Sequence, residues 1–95
     1  MEHLYVISYD IADDKRWRRV FRIMKGHGDW LQYSVFQCRL NRQRFIQIQA
    51  ELSETIHHHE DHVLFFDLGP VESVSPHVTS LGKSFEPVKR EAMIF

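Results

Sequence analysis

From His3 to Tyr9 the chain reads His-Leu-Tyr-Val-Ile-Ser-Tyr, with apolar, β-branched or aromatic residues on both alternating sets of positions. That is the pattern of an interior strand, and it ends at Asp10. From Asp13 the period changes. Trp17, Val20, Phe21 and Met24 fall at i, i+3, i+4 and i+7, one stripe of a helix, with Asp13 or Asp14 as N-cap and Gly26 or Gly28 as its stop. Residues 29 to 40 are strand-like again, but the run is long for one strand of a small sheet, so it is open to division by a kink or bulge near Tyr33 and Ser34. A second helix is expected from Arg42 to Ile56, capped by Asn41, with Phe45, Ile48, Leu52 and Ile56 on one face. Residues 62 to 68 read as another interior strand. Gly69-Pro70 then signals a turn before a short strand over Val71 to Val74.

The resulting order, β-α-β(β)-α-β, is that of a ferredoxin-like α+β sandwich, expected over residues 1–80. Residues 81–95 form a tail that ends in the apolar run Ala92-Met93-Ile94-Phe95, suited to adding a strand to a sheet edge of this chain or of a partner. A chain of 95 residues is one domain, and so small a domain gains from covering a face with a second copy. One cysteine, Cys38, excludes an internal disulfide, and neither a signal-peptide type of apolar run at the first residues nor an apolar run of membrane length stands in these 95 residues. A soluble cytoplasmic protein is the expectation.

The formal net charge of −1 conceals a segregation. Nine of the twelve Lys and Arg residues lie between Lys15 and Arg44, where Asp29 is the only acid, whereas Glu51, Glu54, Glu60, Asp61, Asp67 and Glu72 occupy a stretch with no Lys or Arg. A basic face made this way could meet phosphates, or it could be a solvated helix surface.

No Gly-rich phosphate loop, zinc-type cysteine pair or nucleophile elbow occurs. Asp10, at the end of a buried strand, is a hard oxygen donor suited to Mg²⁺ or Mn²⁺, and such an ion assists phosphodiester hydrolysis; a turn or helix cap is the simpler role for the same residue. His57, His58, His59 and His62 bring zinc to mind, but neighbouring residues at a helix end diverge, and a polar helix terminus accounts for them. Cys38 reads as a core residue. Tyr9, Trp17, Trp30 and Tyr33 are candidates for stacking on bases, with Trp17 claimed by the helical stripe.

Three motifs occur in order: Tyr-Val-Ile-Ser-Tyr-Asp-Ile (5 to 11), Asp-Asp-Lys-Arg (13 to 16) and Gln-Tyr-Ser-Val-Phe-Gln-Cys-Arg-Leu (32 to 40). Together they resemble the CRISPR-associated endonuclease family two, the small subunit of the spacer-acquisition complex. The resemblance implies a ferredoxin-like fold in a symmetric homodimer whose C-terminal strand crosses to the other protomer. It also implies that Asp10 is the metal ligand and catalytic carboxylate, facing its twin across the interface, with Mg²⁺ or Mn²⁺ as cofactor and single-stranded RNA or double-stranded DNA as substrate. Gln37 stands where many relatives carry Glu, which removes a second carboxylate.

Two readings follow. In the nuclease, Asp10 holds the ion while Tyr9, Ser34 and Phe36 shape the cleft. In the scaffold, Arg16, Arg18, Arg19 and Arg42 bind the duplex backbone and the dimer bridges subunits of the CRISPR integrase. A regulatory ferredoxin-like module without nucleic acid is the remaining alternative.

Overall fold

The computed structural model describes residues 1–82. The elements are β1 (His3–Asp10), α1 (Asp14–Lys25), β2 (Gly28–Gln32), β3 (Val35–Leu40), α2 (Arg42–Thr55) and β4 (His62–Pro70). All strand pairings are antiparallel, in the order β2-β3-β1-β4, so β1 is hydrogen-bonded on both sides. The ferredoxin-like βαββαβ arrangement expected from the sequence is the one observed.

Both helices start where a side chain can take an otherwise unpaired amide. Asp13 accepts from the Arg16 N–H at 2.9 Å, and Asn41 accepts from the Arg44 N–H at 2.8 Å. Gly26 follows the last turn of α1, and α2 ends one residue earlier than expected, at Thr55. Val20 and Met24 of α1 and Ile48 and Leu52 of α2 are buried against Tyr5, Ile7, Tyr9, Phe36, Cys38 and Leu40 of the sheet. Cys38 is therefore a core residue. Trp17, Phe21, Phe45 and Ile56 pack at the margin of this cluster, with Phe45 stacked on Tyr5 at 4.6 Å between ring centres.

The long strand-like run is two strands joined through Tyr33 and Ser34, where the expected break falls. The expected short strand over Val71 to Val74 is absent: β4 continues through Gly69 and Pro70, and the chain turns afterwards, with Ser73 N–H donating to the Pro70 carbonyl at 2.9 Å. The reason is that Gly69, at φ 110°, makes a bulge rather than a turn. Leu4 pairs with Gly69 and Tyr5 with Asp67, leaving Leu68 as the extra residue. Pro70 is tolerated because β4 lies at the sheet edge. The expected exchanged strand at the C-terminus falls beyond residue 82, outside the described residues.

Among the described residues, helices cover only one face of the sheet. On the other face Val6 lies between Gln37 and Phe66, and Ser8 between Val35 and Leu64. Leu4 of that face is buried, but Leu64 and Phe66 are 42% and 49% exposed, so part of its apolar surface stays open among the described residues. Among the described residues no helix is long and apolar enough to cross a membrane.

Gly28 faces Cys38 across β2 and β3, and a Cβ there would collide with Cys38 Sγ and the Gln37 carbonyl. Gly28→Ala is expected to destabilise the fold by about 1–3 kcal/mol, since overpacking must be relieved by moving backbone. A urea midpoint equal to that of the parent chain would contradict this close approach.

Candidate metal and nucleic-acid site

Asp10 is exposed at the end of the central strand, and its side chain makes no hydrogen bond or ion pair among the described residues. Its backbone is held from two directions. On one side the Tyr9 N–H donates to the Ser34 carbonyl at 3.1 Å, tying the strand end to the β2–β3 turn. On the other, the Ala12 N–H donates to Asp61 Oδ1 at 2.9 Å, tying the β1–α1 loop to the segment before β4.

Asp61 is the organising residue that the sequence did not single out. Its carboxylate is fully enclosed, and it also accepts from Arg16 Nε at 2.8 Å and the His57 N–H at 2.7 Å. Arg16 holds the carboxyl well below the usual carboxylate range, aided by the His57 and Ala12 amides and opposed by burial. Its partner, Arg16, lies 45 residues away in sequence, while the stretch around Asp61 itself carries no Lys or Arg.

This pairing occupies Arg16, one of the candidate phosphate contacts. Its guanidinium bonds Asp61 and, through Nη2, Glu60 at 3.0 Å, and so braces the loop. Arg18 and Arg19 are exposed on α1, near the Asp10 end of the sheet. Arg42 is also exposed, but it follows Leu40, which pairs with His3 at the opposite end of β1. The eight residues of β1 span roughly 23 Å, so Arg42 stands at the other end of the sheet from Asp10.

The three residues expected to shape a cleft sit behind Asp10, not around it. Phe36 is wholly buried and Tyr9 nearly so, both in the core with the helices. Burial pushes the Tyr9 phenol up from its ordinary pKa, and its hydroxyl has no hydrogen-bond partner among the described residues. Ser34 is buried as well; its Oγ accepts from Trp17 Nε1 at 2.8 Å, so it fixes the turn on α1. Alternation along β1 explains the arrangement, because Tyr9 and Asp10 point to opposite faces.

The histidines behave as a helix end. His58 Nε2 donates to the Ser53 carbonyl at 2.8 Å, satisfying an acceptor in the last turn of α2. The His57 ring accepts from the His59 N–H at 3.3 Å. Among the described residues no three His, Cys, Asp or Glu side chains converge to hold a metal. An ion at Asp10 would therefore have a single carboxylate from each chain, with water and substrate phosphate completing its shell, a donor set that suits Mg²⁺.

A four-stranded antiparallel sheet backed by two helices, with one open carboxylate ending its central strand, defines a ferredoxin-like domain. Residues 3–73 match the family model described as "CRISPR associated protein Cas2", and the chain belongs to that family. It is 57% identical over 94 residues to the CRISPR-associated endoribonuclease Cas2 of Geobacter sulfurreducens, covering 99% of both chains. With the protein named CRISPR-associated endoribonuclease Cas2 1 from Rhodospirillum rubrum it shares 57% identity, over 98% of this chain and 91% of the relative. Among solved structures, Streptococcus pyogenes Cas2 at pH 6.5 superposes with a TM-score of 0.73 at 27% identity, covering 83% of this chain and 99% of the other. The hypothetical protein TT1823 from Thermus thermophilus shares the fold, with a TM-score of 0.77 at 23% identity over 90% of this chain and all of that one.

Proposed function

We propose that the protein is a metal-dependent endoribonuclease that works as a homodimer in CRISPR spacer acquisition, with Asp10 as its metal ligand and catalytic carboxylate. The observation that carries this reading is the state of Asp10: an exposed, unpaired carboxylate on a strand end anchored by Tyr9, Ser34, Ala12 and Asp61. A rigid support costs a catalytic group little reorganisation, and an open carboxylate is ready to accept a hard cation. Mg²⁺ or Mn²⁺, when bound, neutralises phosphate charge and lowers the pKa of a bound water. Arg18 and Arg19 supply positive charge at the same end of the molecule. The relatives named endoribonucleases support RNA as the substrate.

The homodimer follows from the open sheet face. Leu64 and Phe66 need a second layer, and a second copy offers the same surface in return. Pairing through this face would bring two Asp10 residues toward one another, doubling the carboxylates available to metal and phosphate.

The scaffold is the second reading, favoured by the single carboxylate per chain. In it the dimer bridges CRISPR integrase subunits and holds duplex DNA through Arg18, Arg19 and Arg42, with Asp10 dispensable.

End-labelled single-stranded RNA and duplex DNA, incubated with Mg²⁺, Mn²⁺ or a chelator, separate these readings. Metal-dependent cutting of RNA is the expected result. Salt-sensitive duplex binding without cutting would establish the scaffold, and failure to bind either nucleic acid at low salt would sink both.

A further inference from the structure

Tyr33 is 73% exposed and adopts φ 27°, the only positive φ outside glycine among the described residues. That backbone region costs a non-glycine residue of order 1–3 kcal/mol, and Gly or Asn would occupy the turn with less strain. The surroundings hold it there. Trp30 Nε1 donates to the Tyr33 carbonyl at 3.1 Å, while Trp17 Nε1 fixes the neighbouring Ser34 hydroxyl at 2.8 Å.

The ring caps an aromatic column. Tyr33 stacks on Trp17 with ring centres 5.2 Å apart and planes 26° apart, and Trp17 stacks on Phe21 at 5.1 Å and 17°. Trp17 and Phe21 are half-buried members of the core margin, so the column has a fixed base and an open top. Shielding Trp17 would account for a ring at this position; it does not account for leaving 73% of the residue in water on a strained turn. The turn is also joined to the candidate site, since Ser34 O accepts the Tyr9 N–H at the end of β1.

We propose that Tyr33 is a stacking platform for an unpaired nucleobase, receiving the base of a single strand whose backbone runs past Asp10. This rests on the nucleic-acid reading above and sharpens it: a π-face at the column's end accepts any base that is not already stacked in a duplex, so single strands are preferred over duplexes. The other members of the column need no movement to provide it.

The test measures equilibrium affinity at low salt for an oligouridine and for an abasic ribose-phosphate strand of the same length, using the full chain, Tyr33→Asn and Tyr33→Phe. Asn suits the left-handed turn while removing the ring, and Phe keeps the ring. The expected result is a loss of about 5- to 100-fold for Tyr33→Asn on oligouridine, no change on the abasic strand, and parent-like affinity for Tyr33→Phe on both. Equal affinity of the parent chain for the two strands, or an equal loss on both in Tyr33→Asn, would overturn the platform while leaving nucleic-acid binding intact. Failure of the parent chain to bind either strand would overturn the platform and the underlying reading together.

Discussion

Asp10→Asn is expected to reduce metal-dependent RNA cleavage by about 100-fold or more, because an amide oxygen is a poor substitute for the charge that holds a divalent ion and lowers the pKa of its water. The fold should not notice. Asp10 is exposed and its side chain makes no hydrogen bond or ion pair among the described residues, and such surface changes stay within about 0.5 kcal/mol. The measurement pairs initial cleavage rates over a Mg²⁺ titration with a urea unfolding curve for the same preparation. Parent-like cleavage by the folded variant would remove Asp10 from the chemistry, and loss of folding together with cleavage would make it a structural residue.

Asp61→Asn should have the largest effect on stability, about 2–3 kcal/mol at pH 7, the scale of hydrogen bonds to an ionised group. One enclosed carboxylate serves Arg16, Ala12 and His57, and an amide can neither balance the guanidinium nor accept from all of them. The pH dependence follows from the lowered folded pKa of Asp61. Its stabilisation is complete above the unfolded carboxyl value of about 3.9 and is lost as pH falls through the depressed folded value. The gap between parent and variant should therefore be widest near neutrality and narrow below about pH 4. Urea midpoints at pH 7 and pH 3 check this, and a gap of constant size would show that the charge of Asp61 is not what braces the loop.

Most local structure was legible in the chain. Asp13 and Asn41 announce their helices because capping is a short-range exchange between a side chain and an amide three residues on. The stripes of α1 and α2 follow from a periodicity that burial enforces directly. Gly69-Pro70 misled because the same dipeptide serves turns and bulged edge strands, and only the register against Leu4 and Tyr5 tells them apart. At the site, strand alternation was enough to bring Asp10 to the surface. It could not reveal that Arg16 is occupied, since the answer lies in a loop brought over by α2 and β4. Nor could charge counting show that Arg42 stands at the far end of the sheet from Asp10, which depends on how β3 runs against β1.

The bare side of the sheet changes what it means to speak of this protein's stability. With Leu64 and Phe66 half open and the homodimer proposed above, part of the free energy that maintains the fold is drawn from mass action. Dilution then weakens the central strand as a destabilising substitution would, and the support beneath Asp10 becomes a property of how much of the chain the cell holds.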